Sequence, residues 1–276
     1  MTSVAAARRG YAFVLAGATC FVVNAGVSKV AMSAGVDPPR LSSVRCAGTA
    51  AGLLLLVLVT GRASALRVRR DELPLLLTYG VAGVAMLQLT YFVAIDRLPV
   101  GIALLLQYLA PLLIALWARL VTREPVRRTV WFALGLSLLG LALVGRVWDG
   151  AFLDPVGGVA GVGAGASFAT YFLAGERGLR RRDPLTFSFW GFFLGSLFWS
   201  ALRPWWELGR DVVLGSTSLL GALSHRSAPV WAVLAWVVVL GTLTPFVLET
   251  TALRVLPATV VGVVAMVEPI GAAALA

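Results

Sequence analysis

Two carboxylates stand inside strongly apolar runs of this sequence, Glu249 in TPFVLETTAL and Glu268 in VVAMVEPIGA. Holding an ionisable group at bilayer depth costs ~2.5–3.5 kcal/mol on insertion scales, so each is a candidate to carry a proton or a ligand. A carboxyl moved between dry and wetted settings can bind and release a proton. Hydrogen bonding to a neighbouring helix is the alternative role for Glu268. Pro269 follows it, and Pro111 occupies a similar place earlier in the chain. Each removes a backbone donor and marks a helix bend. Gln88 and Tyr91 are three residues apart and Gln107 and Pro111 four apart, so each pair shares a helix face. Asn24, Tyr108, Tyr171 with Ser167 one turn before it, and Trp190 add polar and aromatic groups at comparable depth. Together these residues form a candidate substrate pathway of mostly apolar walls with few polar groups, suited to an amphipathic metabolite. Lys29 and Arg45 lie toward helix ends, where long side chains reach the headgroups, and are read as anchors. His225 has no second ligand beside it, and Cys20 and Cys46 lack metal or disulfide spacing. No metal or other cofactor is expected.

Positioning such residues requires long apolar helices, and the composition supplies them. Of 276 residues 59% are hydrophobic and 13% charged, with a mean hydropathy of +0.89, which excludes an ordinary soluble domain. The net charge of +10 comes from arginine clusters between apolar runs rather than along one face, so it reads as membrane topology and not nucleic-acid binding. A bilayer core needs about 20 apolar residues per helix. Segments near that length recur at 11–34, 41–60, 73–95, 98–121, 129–146, 156–175, 185–202, 229–253 and 257–276, with the first kept as an uncleaved helix. A cytoplasmic N-terminus places fifteen arginines inside, among them Arg8, Arg9, Arg69, Arg70, Arg181 and Arg182, against six outside. The one long outside connection, 203–228, carries Trp205 and Trp206 and is expected to lie at the interface. Gly157, Gly161 and Gly165, and Gly191 with Gly195, are spaced for close helix packing.

The chain also repeats itself. At an offset of 158 residues Ala94, Leu98 and Pro99 align with Ala252, Leu256 and Pro257, and Pro111 with Pro269. Asp37-Pro38 is echoed by Asp183-Pro184. The unit is five helices, an odd number, so successive copies, 1–147 and 156–276, point oppositely. Inverted repeats are a recurring transporter architecture with substrate held near the midplane. A complete pair needs ten helices, so a truncated sequence is expected.

These features resemble the EamA family of the drug/metabolite transporter superfamily. Asn24, Lys29, Asp37-Pro38-Pro39 and Arg45 are similar to its N-x4-K, PP and R pattern, and Tyr91–Leu116 and Leu256–Pro269 to two of its helical hairpins. The resemblance implies an all-α fold of two inverted five-helix repeats in the cell membrane of a bacterial-type cell. It further implies a secondary exporter, nearest in look to amino-acid and threonine/homoserine exporters, with Gln107 standing where some of those carry glutamate. The partners implied are a small-molecule substrate (an amino acid, amphipathic metabolite or drug), the lipid bilayer and a coupling proton. Nucleic acid is not among them. Uncoupled facilitation and a non-transporting scaffold are the alternatives. A membrane enzyme is disfavoured by the lack of HExxH, GxSxG and GxxxxGK motifs.

Overall fold

The computed structural model describes residues 4–98, 100–144, 154–219, 221, 223–265 and 267. The described chain is an all-α membrane protein. Its helices are α1 (Val4–Ser33), α2 (Pro38–Val59), α3 (Leu73–Leu77, Thr78–Ala85 and Met86–Arg97), α4 (Val100–Gln107 and Ala110–Leu120) and α5 (Arg128–Val144). The second half contributes α6 (Pro155–Leu179), α7 (Pro184–Leu202), α8 (Val230–Val238, Val239–Leu243 and Thr244–Ala252) and α9 (Ala258–Ala265). Among the described residues, seven helices are long and apolar enough to cross a membrane, while 128–140 within α5 forms a shorter apolar helix. Glu268 and Pro269 lie outside the described residues.

Local chemistry sets the helix starts. α2, α6 and α7 each begin at an Asp-Pro pair, the proline filling a position whose backbone N–H has no helical partner. Asp37 accepts from the Arg40 amide, Asp154 from Gly157, and Asp183 from Leu185 and Thr186. The Gly157 amide, helped by Arg97, holds the Asp154 carboxyl below its ordinary range. Helix α4 is interrupted at Tyr108 and Leu109, just ahead of Pro111. Two stretches are π-helical, Thr78–Ala85 in α3 and Val239–Leu243 in α8. A shift by the repeat offset brings the two onto overlapping positions, so the irregularity recurs with the repeat.

The helices pair as inverted repeats should. α3 packs on α6 as α1 packs on α8, α4 on α6 as α9 on α1, and α2 lies against α7. One group is therefore α3, α4, α5 and α6, a second is α1, α8 and α9, and α2 with α7 stands between them. Close approach depends on the glycine spacing: a Cβ at Gly165 would meet the Leu106 carbonyl at 2.7 Å, and one at Gly157 the Leu98 side chain at 2.8 Å.

The two ends differ. At the end bearing the N-terminus, where Gly10 meets Val255 and Leu256, the α2–α3 and α6–α7 connections are joined by charge. Arg182 pairs with Glu72 at 2.8 Å and donates to the carbonyls of Ala65 and Arg67. Arg62–Asp183 and Arg181–Asp71 flank it at 3.5 and 3.4 Å. At the far end the α7–α8 connection covers α1 and α2 with apolar groups, Leu208, Val212 and Leu219 packing with Val30, Val36, Leu41, Val230 and Leu234. That connection folds into a short helix, Arg210–Leu214, and an antiparallel hairpin of β1 (Ser216–Leu219) and β2 (Leu223–Pro229). The stretch 203–228, expected from sequence to lie at the interface, thus holds helical turns and a two-stranded hairpin.

Candidate functional site

Between the two helix groups lies a cavity of about 170 Å³. Its walls are Phe21, Asn24, Ser28, Lys29 and Met32 of α1, Arg45 of α2, Leu87, Gln88, Tyr91 and Phe92 of α3, and Leu104 and Gln107 of α4. Phe168 of α6 and Phe246 and Glu249 of α8 complete it. The exposed Lys29 and half-buried Met32 and Arg45 stand toward the far end, and Glu249, 1% exposed, sits at the inner limit beside Gly17.

The π-helical turn of α8 holds two of the polar residues in place. Thr242 donates its hydroxyl to the Val237 carbonyl at 2.8 Å and accepts from Arg45 Nε at 3.0 Å, fixing the guanidinium at the wall. On the same turn Gly241 presents bare backbone to the Asn24 amide, leaving no room for a side chain. Asn24 accepts in turn from the Ser28 hydroxyl at 3.5 Å. Gln88 donates to Cys46 Sγ at 3.3 Å. The Oε1 atoms of Gln88 and Gln107 are buried with no donor from the described protein, so both are left to accept from whatever enters. The cavity therefore offers cations toward its mouth, amide acceptors in its middle and a carboxylate at its floor.

Beneath the cavity an aromatic layer closes the path. Phe246 meets Phe21 and Tyr171 edge-on at 5.4 Å and Phe192 at 4.8 Å, while Tyr79 stacks on Tyr171 at 5.2 Å and packs on Phe187 at 4.3 Å. Such contacts between rings add stability beyond their buried area.

Of the residues singled out from sequence, the structure brings Asn24, Gln88, Tyr91, Gln107 and Glu249 to this cavity. Tyr171 lies one layer deeper, and Tyr108 is fully buried edge-on to Phe168. Trp190 stands elsewhere, its indole donating to the Leu66 carbonyl at 3.1 Å, so it walls the α2–α3 connection rather than the cavity. Lys29 and Arg45, read from sequence as headgroup anchors, belong to the lining. The spacing of Asn24, Ser28 and Lys29 on one helix was the available signal for Lys29, whereas the partner that holds Arg45 is 197 residues away.

The EamA-like transporter family model matches residues 8–146 and 156–276. The chain belongs to the EamA-like transporter family. It is 32% identical over 208 residues to the threonine/homoserine exporter RhtA of Escherichia coli K12, and 31% to that of Salmonella typhimurium LT2. Those alignments cover 74% of this chain and 62% of the exporters, so the chain spans less than two thirds of their length. The pseudopaline exporter CntI of Pseudomonas aeruginosa UCBPP-PA14 is 30% identical over 243 residues, 81% of each chain. A crystal structure with 19% identity superposes at a TM-score of 0.71 over 99% of this chain and 88% of its own, which shows a shared fold. EamA-like proteins of this kind are membrane transporters, not enzymes. In this family member both matched stretches contribute to the cavity, the first through Asn24, Arg45, Gln88 and Gln107 and the second through Phe168, Phe246 and Glu249.

Proposed function

We propose that this chain is a secondary exporter of small amino-acid-like metabolites, working by alternating access between two inverted repeats, residues 1–147 and 156–276. The observation that carries the reading is a cavity between the helix groups with Lys29 and Arg45 toward the mouth and Glu249 at the floor. Opposite charges at the two poles of one pocket suit a zwitterion, its carboxylate toward the cations and its ammonium toward Glu249 and the free amide oxygens. Likeness to threonine/homoserine exporters supports the same class of cargo. The arginine bias supports a cytoplasmic N-terminus in the membrane of a bacterial-type cell, so the cavity faces outward in this conformation. Glu249 is the proposed proton carrier, and Glu268 the second candidate.

Flux through proteoliposomes containing the full chain tests this, using a panel of radiolabelled amino acids with and without a pH gradient. The expected outcome is uptake stimulated by the gradient, with the stimulation lost in Glu249→Gln. A Glu268→Gln chain run in parallel assigns the proton if Glu249→Gln keeps its response. Absence of flux for every amino acid, or flux indifferent to the gradient in the parent chain, overturns the reading.

A further inference from the structure

At the shut end of the cavity the two helix groups pack through apolar residues, Ala258, Val261 and Ala265 of α9 sharing a core with Ile114 and Ala115 of α4, and a hydrogen bond joins α6 to α9. Glu176, in the last turn of α6, accepts from the backbone N–H of Ala258, the first residue of α9, at 3.4 Å. Below the aromatic layer the same seam is made by Gly175 against Leu253 and by Gly262 against Pro111 and Ile114, where a Cβ on either glycine would meet its neighbours at 3.1 to 3.5 Å. Glu176 is also paired with Arg180 at 3.5 Å, and Arg177 lies over the Trp117 ring at 5.5 Å. These groups border a crevice of about 70 Å³ that reaches Thr259 and Thr122. The carboxylate thus accepts from a backbone donor at a helix N-terminus, where N–H groups lack helical partners and negative charge is favoured.

The repeat puts a different residue at the matching place on the other end. The final turns of α6 and α1 correspond, and the residue seven before Asp37-Pro38, as Glu176 is seven before Asp183-Pro184, is Val30. The start of α9 corresponds to the start of α4 through the matched Leu256-Pro257 and Leu98-Pro99. At that end α1 and α4 stand on opposite walls of the cavity, Lys29 and Met32 facing Leu104. Closing the mouth by the same movement would bring a valine, not a glutamate, toward a helix N-terminus, and an apolar side chain cannot accept from the backbone N–H groups there.

Resting on the alternating-access reading, we propose that Glu176 is a latch. Docked on the first turn of α9, it holds the N-terminal end of the path shut, and the valine at the symmetric position supplies no equivalent, so the protein rests open at the far end. Each transport cycle must break the Glu176–Ala258 contact.

The test reads conformation and not flux. Thr259→Cys reports on the shut seam and Met32→Cys on the mouth, each in a Cys20→Ala background. Cys46 is fully buried, and the chain without an introduced cysteine sets the baseline. Labelling by a membrane-impermeant maleimide is followed in detergent and in lipid vesicles. Glu176→Ala is expected to raise the labelling rate at position 259 and to lower it at position 32, each about two- to fivefold, with Glu176→Gln between the two. A rise at 259 with no fall at 32 marks mere local loosening and overturns the latch, as does no change at either. If Glu176→Ala does not fold, as judged by size exclusion, the Glu176→Gln chain decides alone by the same reciprocal criterion. Because labelling needs no substrate, a failed flux assay leaves this result standing, and a failed latch leaves the flux assay standing.

Discussion

The two ends of the molecule solve one topological problem with opposite chemistry. At the N-terminal end the α2–α3 connection meets the α6–α7 connection through Arg182, Glu72, Arg62, Asp183, Arg181 and Asp71. At the far end the symmetric contact, α7–α8 against α1–α2, is apolar, with Val36, Leu41, Val230 and Leu234 buried together. The inverted repeat conserves which segments touch and not what they touch with. An end rich in arginine recruits carboxylates as its fasteners. The end poor in arginine is fastened by exclusion of water and needs the hairpin of β1 and β2 to provide the cover.

That contrast can be broken from either side. The largest effect is expected for Arg182→Ala. Its side chain is 7% exposed and Glu72 12%, and removing one partner of a buried pair leaves the other uncompensated, at a cost of about 4 kcal/mol. Thermal unfolding in detergent measures it, and a loss below about 1 kcal/mol would place Arg182 among ordinary surface pairs. Leu41→Ala does the corresponding damage at the apolar end, where the fully buried side chain leaves a cavity worth about 3 kcal/mol. Salt sharpens the difference: at about 1 M, where screening acts within about 3 Å, the exposed pairs Arg62–Asp183 and Arg181–Asp71 weaken. Hydrogen exchange should then quicken in the α6–α7 connection and not in the hairpin. The smallest effect tests where the ends are alike. Asp37→Ala and Asp183→Ala each remove a helix cap, so each should lower stability by about 1 kcal/mol, and unequal losses would show that Asp183 owes more to Arg62 than to its helix.

Much of this was legible in the residues. The helical segments follow from runs of apolar residues, and the Asp-Pro pairs mark both the repeat and the starts of α2 and α7, because the same atoms that repeat in sequence satisfy the first amides of a helix. Among the polar candidates Gln88 and Tyr91, spaced on one helix face, reach the cavity together, while of the pair Gln107 and Pro111 only Gln107 lines it. Illegible were the positions decided by distant partners. Arg45 is fixed by Thr242 and Trp190 by Leu66, pairings set only once α2 meets α8 and α7 meets the α2–α3 connection. The hairpin escaped because strands of four and seven residues carry too few alternations to stand apart from a polar loop.

The π-helical turns in α3 and α8 carry one more residue than an α-helix of the same length needs. Removing that residue from either would let the turn relax to α geometry with the segment after it still in phase, whereas winding the same residues as regular α-helix would rotate everything after the turn by about 100° about the helix axis. In α3 that downstream segment holds Gln88 and Tyr91, and in α8 it holds Glu249. The wide turn in each half therefore absorbs its surplus residue and keeps the angular phase that aims these side chains at a common centre.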